Sequence, residues 1–178
     1  MHVRTKNMAT AGLLVAFSVI MMILSSVIES SSLFFIAAAS FCVGIAVREW
    51  GLRWGGAFFL ASVGLNLFVA PSKLYCFTLA GMGAYIWFSE WLWHKVAQAK
   101  KLRGRTTILW IGKYAFFNLL YIPVLFWAPH ILFVGKINGL AAMIFLFLGQ
   151  VVLFIYDVAY RYFQGRIWGR LRGKLLPR

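Results

Sequence analysis

Apolar residues come along this chain in long runs, and each run is close to the length a bilayer demands. A helix crossing the hydrocarbon core takes about 20 predominantly apolar residues. The first run, residues 8–28, follows Arg4 and Lys6. It exceeds the ~7–15 apolar residues of a signal peptide and no A-x-A site follows, so it is expected to be retained as a helix. The second run, 32–48, has a short apolar core at 33–47, but the polar stretch Arg48-Glu49-Trp50-Gly51-Leu52-Arg53 demands a crossing before it. The third, 54–70, stops at Pro71, and the fourth, 74–93, ends on Trp91, Trp93 and His94, an aromatic belt of the kind found at membrane interfaces. The fifth, 107–127, ends near Pro129, and the sixth spans 137–162. The pattern predicts an all-α integral membrane protein, a single bundle of six transmembrane helices over residues 1–163.

After the last run, Gly165, Gly169 and Gly173 recur every four residues beside Ile167, Leu171 and Leu175, with arginines and a lysine between them. Residues 164–178 are therefore expected to form a basic amphipathic cytoplasmic tail, suited to an anionic membrane face. Glycine disfavours helix by about 1 kcal/mol per residue, so order in this tail is expected only on a membrane or a partner.

Charge orients the bundle. With a cytoplasmic N-terminus, fifteen of the 18 Lys and Arg fall inside, only Lys73 and Lys136 outside, and Lys113 within the fifth helix. That asymmetry follows the positive-inside rule and predicts both termini in the cytoplasm of a bacterial inner membrane. The net charge of +14 by itself suits nucleic acid as well. Here the basic residues sit between and after apolar runs, which fits lipid head groups instead, and no nucleic-acid partner is expected. Composition agrees: 62% of residues are hydrophobic and 12% charged, against about 25% charged in soluble domains.

Candidate chemistry is sparse. The chain has no HExxH, no GxSxG, no glycine-rich phosphate loop, and a single aspartate, Asp157. An enzyme, a metal site or a cofactor is not expected. Cys42 and Cys76 lie within apolar runs with no ligand spacing and read as small buried residues. Ionisable groups inside a bilayer are costly and point to function or to pairing. Lys113 lies six residues into the fifth run, and Glu90 and Asp157 sit at similar depth in the fourth and sixth. They are expected to form a structural ion pair between Lys113 and one or both acids. Toward the outer side lie Glu29, Asn66, Lys73, Tyr75, Asn118, Tyr121, Trp127, His130 and Asn138. These form either an outward-facing substrate pocket of aromatics and amides or interhelical hydrogen bonds. Met8, Gly12 and Ala16 recur every four residues on the first helix, a small-residue face that admits another helix closely, whether from the same bundle or from a partner.

The six-run layout, the basic start, Gly12-Leu13-Leu14-Val15-Ala16, the acidic Val27-Ile28-Glu29, and the stretches from Ala39-Ser40-Phe41 to Gly51, Ala61-Ser62 and Ala70-Pro71-Ser72-Lys73-Leu74 resemble the S components of energy-coupling-factor (ECF) transporters. The resemblance covers most of the chain in layout and residues 8–90 in wording. It implies a substrate-binding membrane subunit that captures a vitamin-like micronutrient on the outer side. Uptake would then be driven by a coupling membrane subunit and two ATPase subunits, with Gly12 and Ala16 docking on the coupling subunit. Glycine at the first position departs from the AxxxA wording of that motif. The alternative is a non-catalytic membrane scaffold of the rod-shape (cell elongation) type, similar in length and helix number, in which the outer polar set is packing.

Overall fold

The computed structural model describes residues 2–70, 73–98, 104–127 and 139–170, with side chains over 8–70, 73–98, 104–125 and 143–170. Among these only Ile28, Ala70 and Gly104 lie outside helix. The elements are α1 (His2–Val27), a 3-10 turn (Glu29–Ser31), α2 (Ser32–Val69), α3 (Lys73–Gln98), α4 (Arg105–Trp127) and α5 (Gly139–Tyr162), which continues as a π-helical segment (Phe163–Trp168). The chain divides into two compact units, Met1–Lys100 and Lys101–Arg178.

Five helices stand where the hydrophobic pattern predicts six, because the polar turn after residue 47 is a corner of one residue rather than a loop. Gly51 alone leaves helical geometry, at φ 86° and ψ 170°, a backbone state that glycine adopts without Cβ strain. The two limbs of α2, 32–50 and 52–69, fold back on each other there. A Cβ placed on Gly55 would lie 2.6 Å from the Cα of Val47, whereas eight residues of straight helix would separate the two by about 12 Å. Trp50 packs its ring on Phe58 across the corner, 6.2 Å between centroids.

In the first unit α1 packs on α2, and α2 on α3. Leu14, Ser18, Met22 and Ser25 are the buried stripe of α1, at helical spacing. At one end of the unit Met22 joins Ile36 and Ala39 of the first α2 limb and Leu79 of α3, with Tyr75 and Ala70 against them. At the other end Arg48 reaches Glu90, and the Trp87 indole donates to the Leu52 carbonyl at 3.1 Å. Thus α3 runs beside both limbs along their length. Gly83 makes room for it: a Cβ there would lie 2.6 Å from the Phe59 ring and 3.6 Å from Val43.

In the second unit α4 and α5 are antiparallel, since Lys113 meets Asp157, Asn118 meets Gln150 and Tyr121 meets Phe145. Gly149 lets the Tyr121 ring approach, its absent Cβ falling 2.7 Å from the ring. Helix continues past the expected start of the tail at 164, with Gln164 and Trp168 buried. Residues 171–178 of that tail lie outside the described residues.

Among the described residues four helical stretches are long and apolar enough to cross a membrane: Met8–Val27, Glu29–Val69, Arg105–Leu125 and Met143–Trp168. The 41 residues of the second, doubled at Gly51, suffice for two crossings of about 20 residues each. By composition α3 is outside this set, because Glu90, His94 and Lys95 and its Trp and Tyr residues dilute an otherwise apolar helix. Leu13, Leu60, Phe68, Met143, Phe147 and Ile155 are each more than half exposed. Large apolar side chains carried outward on several helices are what lipid, rather than water, accommodates.

Candidate functional site

Among the described residues three clusters of polar groups lie between neighbouring helical segments of this apolar chain. The first joins α1 to the second α2 limb. Asn66 is fully buried, with Ser18 and Ser62 beside it. Its amide donates to the Ser62 carbonyl at 2.8 Å and to the Ser18 hydroxyl at 3.3 Å. The Asn66 Oδ1 and the Ser62 hydroxyl have no hydrogen-bond partner among the described residues. A buried polar atom left unpaired costs about 1–3 kcal/mol.

The second cluster closes the opposite end of the same unit. Arg48 holds one oxygen of Glu90 through Nε at 2.8 Å and through Nη2 at 2.6 Å. Glu90 is buried while Arg48 is partly exposed, so the buried acid is paired with a cation that still touches solvent. Gly56 lets Trp87 close over this end, since a Cβ there would sit 3.1 Å from the indole nitrogen.

The third cluster is a polar seam between α4 and α5. The Lys113 ammonium contacts Asp157 at 2.5 Å. The Gln150 amide donates to Asn118 at 2.6 Å, and the Tyr121 hydroxyl donates to the Phe145 carbonyl at 2.9 Å. From Lys113 to Tyr121 the seam covers about 12 Å of helix, at 1.5 Å per residue. Asp157 is fully buried and takes a second cation, Arg161, four residues on at 3.0 Å. Both cations lie over the Trp110 ring, Lys113 at 5.8 Å and Arg161 at 5.1 Å, and Phe154 stacks on that ring at 5.6 Å.

The residues predicted from sequence fall unevenly on this framework. Lys113 and Asp157 meet, whereas Glu90 is engaged by Arg48. Of the expected pocket residues, Glu29 in the 3-10 turn and Lys73 at the start of α3 are exposed. Tyr75 lies against the Met22–Leu79 core, and Asn66 is buried. Asn118 and Tyr121 are taken up in the α4–α5 seam. The Trp127 side chain, His130 and Asn138 lie outside the described residues. On α1, Gly12 has no atom within 4 Å of a Cβ built on it, and Ala16 is exposed. Cys42 and Cys76 are buried free thiols. Among the described residues no group of three or more His, Cys, Asp or Glu comes together as a metal site.

No protein-family model, curated protein or solved structure matches the chain.

Ser18, Ser62, Gln150, Arg161 and Trp110 were not singled out in the sequence. Gln150 carried a usable signal, as an amide in mid-run at the depth that antiparallel pairing sets opposite Asn118. Arg161, one turn after the only aspartate, carried another, because residues four apart on a helix are neighbours. The serines carried none, since nothing local distinguishes a serine that meets another helix from one that bonds its own backbone, as Ser25 and Ser26 do.

Proposed function

We propose that the chain is the substrate-binding membrane subunit of an ECF-type importer. On this reading it captures a vitamin-like micronutrient on the outer side and passes it inward with a coupling membrane subunit and two ATPase subunits. The six-crossing topology belongs to the proposal: two crossings in α2, one in each other helix, and both termini on the cytoplasmic side of a bacterial inner membrane. It is supported by α3 lying beside both α2 limbs and by the burial of Glu90 against Arg48, which removes the strongest objection to placing α3 in lipid.

The observation that carries the functional reading is the open small-residue face of α1. Packing within the first unit would also account for a small-residue stripe, but there Gly12 has no atom within 4 Å of a Cβ built on it and Ala16 is exposed, while Leu14, Ser18 and Met22 on another face are buried. A helix from a second protein can approach such a face closely. In the outer set Asn66 is a buried amide that bonds Ser18 of α1 and the Ser62 carbonyl.

The scaffold reading draws on a different observation. Asn118 and Tyr121 are consumed by interhelical bonds, as packing residues are. Native mass spectrometry of the protein purified from its own host separates the two. The importer reading expects a retained small molecule together with ATPase and coupling subunits. Gly12→Leu and Ala16→Leu should each abolish that association while insertion continues. Association surviving both changes, or envelope and cytoskeletal proteins in place of ATPases, sinks the importer.

A further inference from the structure

We propose that the end of α5 carries a specific site for the phosphate of an anionic phospholipid, built on Arg161 and extended by Arg166. This inference does not rest on the importer reading.

Arg161 is held from two sides. Its Nε lies 3.0 Å from Asp157 Oδ2 in an ion pair, and its guanidinium lies 5.1 Å from the centre of the Trp110 ring. Asp157 is itself fixed, being fully buried and bound on its other oxygen by Lys113. Trp110 is fixed in turn by Phe154, stacked at an interplanar angle of 21°. A guanidinium oriented through Nε and one face still has its two terminal nitrogens, and those of Arg161 have no partner among the described residues. The side chain is 52% exposed, so that edge is open. Two parallel N–H donors on a planar cation are the arrangement that binds phosphate in a bidentate manner. Pre-orientation removes most of the side-chain ordering cost of binding, about 0.5–1.5 kcal/mol for such a residue.

Charge at the site exceeds what Asp157 neutralises. Lys113 and Arg161 share the one carboxylate, and Arg166 and Arg170 follow within the next turns. Arg166 sits over the Tyr162 ring at 5.7 Å, a second guanidinium fixed on an aromatic. It belongs to the π-helical segment. Arg161 closes the α-helix just before that segment, so the two guanidiniums follow one another along the same helix end. On this proposal the site sits at the level of the lipid phosphates. On the turns before it Phe154, Ile155 and Val158 are exposed apolar residues, and from Arg161 onward Arg161, Arg166 and Arg170 are exposed among Tyr162 and Ile167. An acyl chain along Ile155 and Val158 would leave its headgroup phosphate level with Arg161. A free phosphate shares the headgroup chemistry but gains nothing from that apolar track, and the lipid is therefore the assigned ligand.

The test uses full-length protein in mild detergent, with lipid retention read by native mass spectrometry after exchange into phosphatidylglycerol or phosphatidylcholine. Wild-type protein should retain phosphatidylglycerol at least tenfold over phosphatidylcholine. Arg161→Gln should reduce that retention about tenfold, and Arg161→Lys nearly as much, because lysine keeps the charge but not the fork or the flat face. Lys113 still covers Asp157 in both variants, and unchanged thermal unfolding would verify that they fold. Equal retention of the two lipids, or full retention in Arg161→Lys, overturns the site in favour of diffuse charge. A second arm adds inorganic phosphate to protein in phosphatidylcholine nanodiscs. Saturable binding there at micromolar phosphate, lost in Arg161→Gln, would assign the site to soluble phosphate and overturn the lipid; no binding below millimolar phosphate is the expected result.

Discussion

At the scale of single residues, the decisive arrangement is Asp157 between two unequal cations. Lys113 is the buried partner and Arg161 the exposed one, so removing either leaves the acid with the other. Breaking a buried pair costs about 3–5 kcal/mol when one charge is stranded. Lys113→Leu should therefore fall at the low end, about 3 kcal/mol, because Arg161 remains. Asp157→Leu should cost at least as much, since it strands Lys113 beside Trp110. The double change should recover most of the loss, because a well-packed apolar pair replaces a desolvated ionic one. Equilibrium unfolding in mixed micelles measures all three, and additive losses in the double variant would exclude direct coupling. Ligand binding in folded Lys113→Leu protein is expected to survive, since Lys113 acts as a clamp. Loss of binding without loss of fold would make it part of the binding site.

At the scale of elements, α2 shows why glycines of similar appearance do different work. Gly51 needs its positive φ but has open space around it, whereas Gly55 is ordinary helix with Val47 backbone against it. Gly51→Ala should therefore cost about 1–3 kcal/mol, the strain of a side chain held in a positive-φ, extended-ψ region that is essentially glycine's alone. Gly55→Ala should cost more, since a methyl group cannot enter without prising the limbs apart. Thermal unfolding of the two variants in one detergent tests the order, and a larger loss at Gly51 would mean that the corner, rather than limb contact, holds the hairpin. The sequence made the reversal at residues 48–53 legible through its two arginines and Glu49. It did not reveal that the reversal takes one residue, because the signal lies in the φ of a glycine among five glycines from 44 to 64. The apolar runs 107–127 and 137–162 lie close to α4 and α5, whereas α1 begins six residues before its run and α3 continues five residues past its own, because helix extends through polar residues that an apolar pattern does not mark. The candidate site was less legible. Lys113 and Asp157 stand out as charges in apolar runs, and Asn118 as an amide. Their partners depend on which helix faces come together, and uniformly apolar helices carry almost no periodic signal of that.

At the scale of the whole molecule, what remains to be tested is the number of crossings, and it turns on α3. A buried Glu90 is tolerable in a membrane only as part of a neutralised pair, and Arg48 supplies the cation. The same pair could equally close a helix lying outside the lipid, so stability alone does not decide. Sidedness does. If α3 crosses, Ser30 and Lys73 face the outside and Gly104 the inside. If it does not, Lys73 and Gly104 share a side. The native thiols Cys42 and Cys76 are buried, so cysteines introduced singly at Ser30, Lys73 and Gly104 can be read against a quiet background. An impermeant maleimide on right-side-out vesicles should label Ser30→Cys and Lys73→Cys at once, and Gly104→Cys only after permeabilisation. Labelling of Gly104→Cys in sealed vesicles would remove α3 from the membrane. The fifteen-to-two charge asymmetry would then need a different explanation, because the basic residues 161–178 would move to the outside along with the end of α5. The charge count and α3 thus stand or fall together, and one labelling pattern decides both.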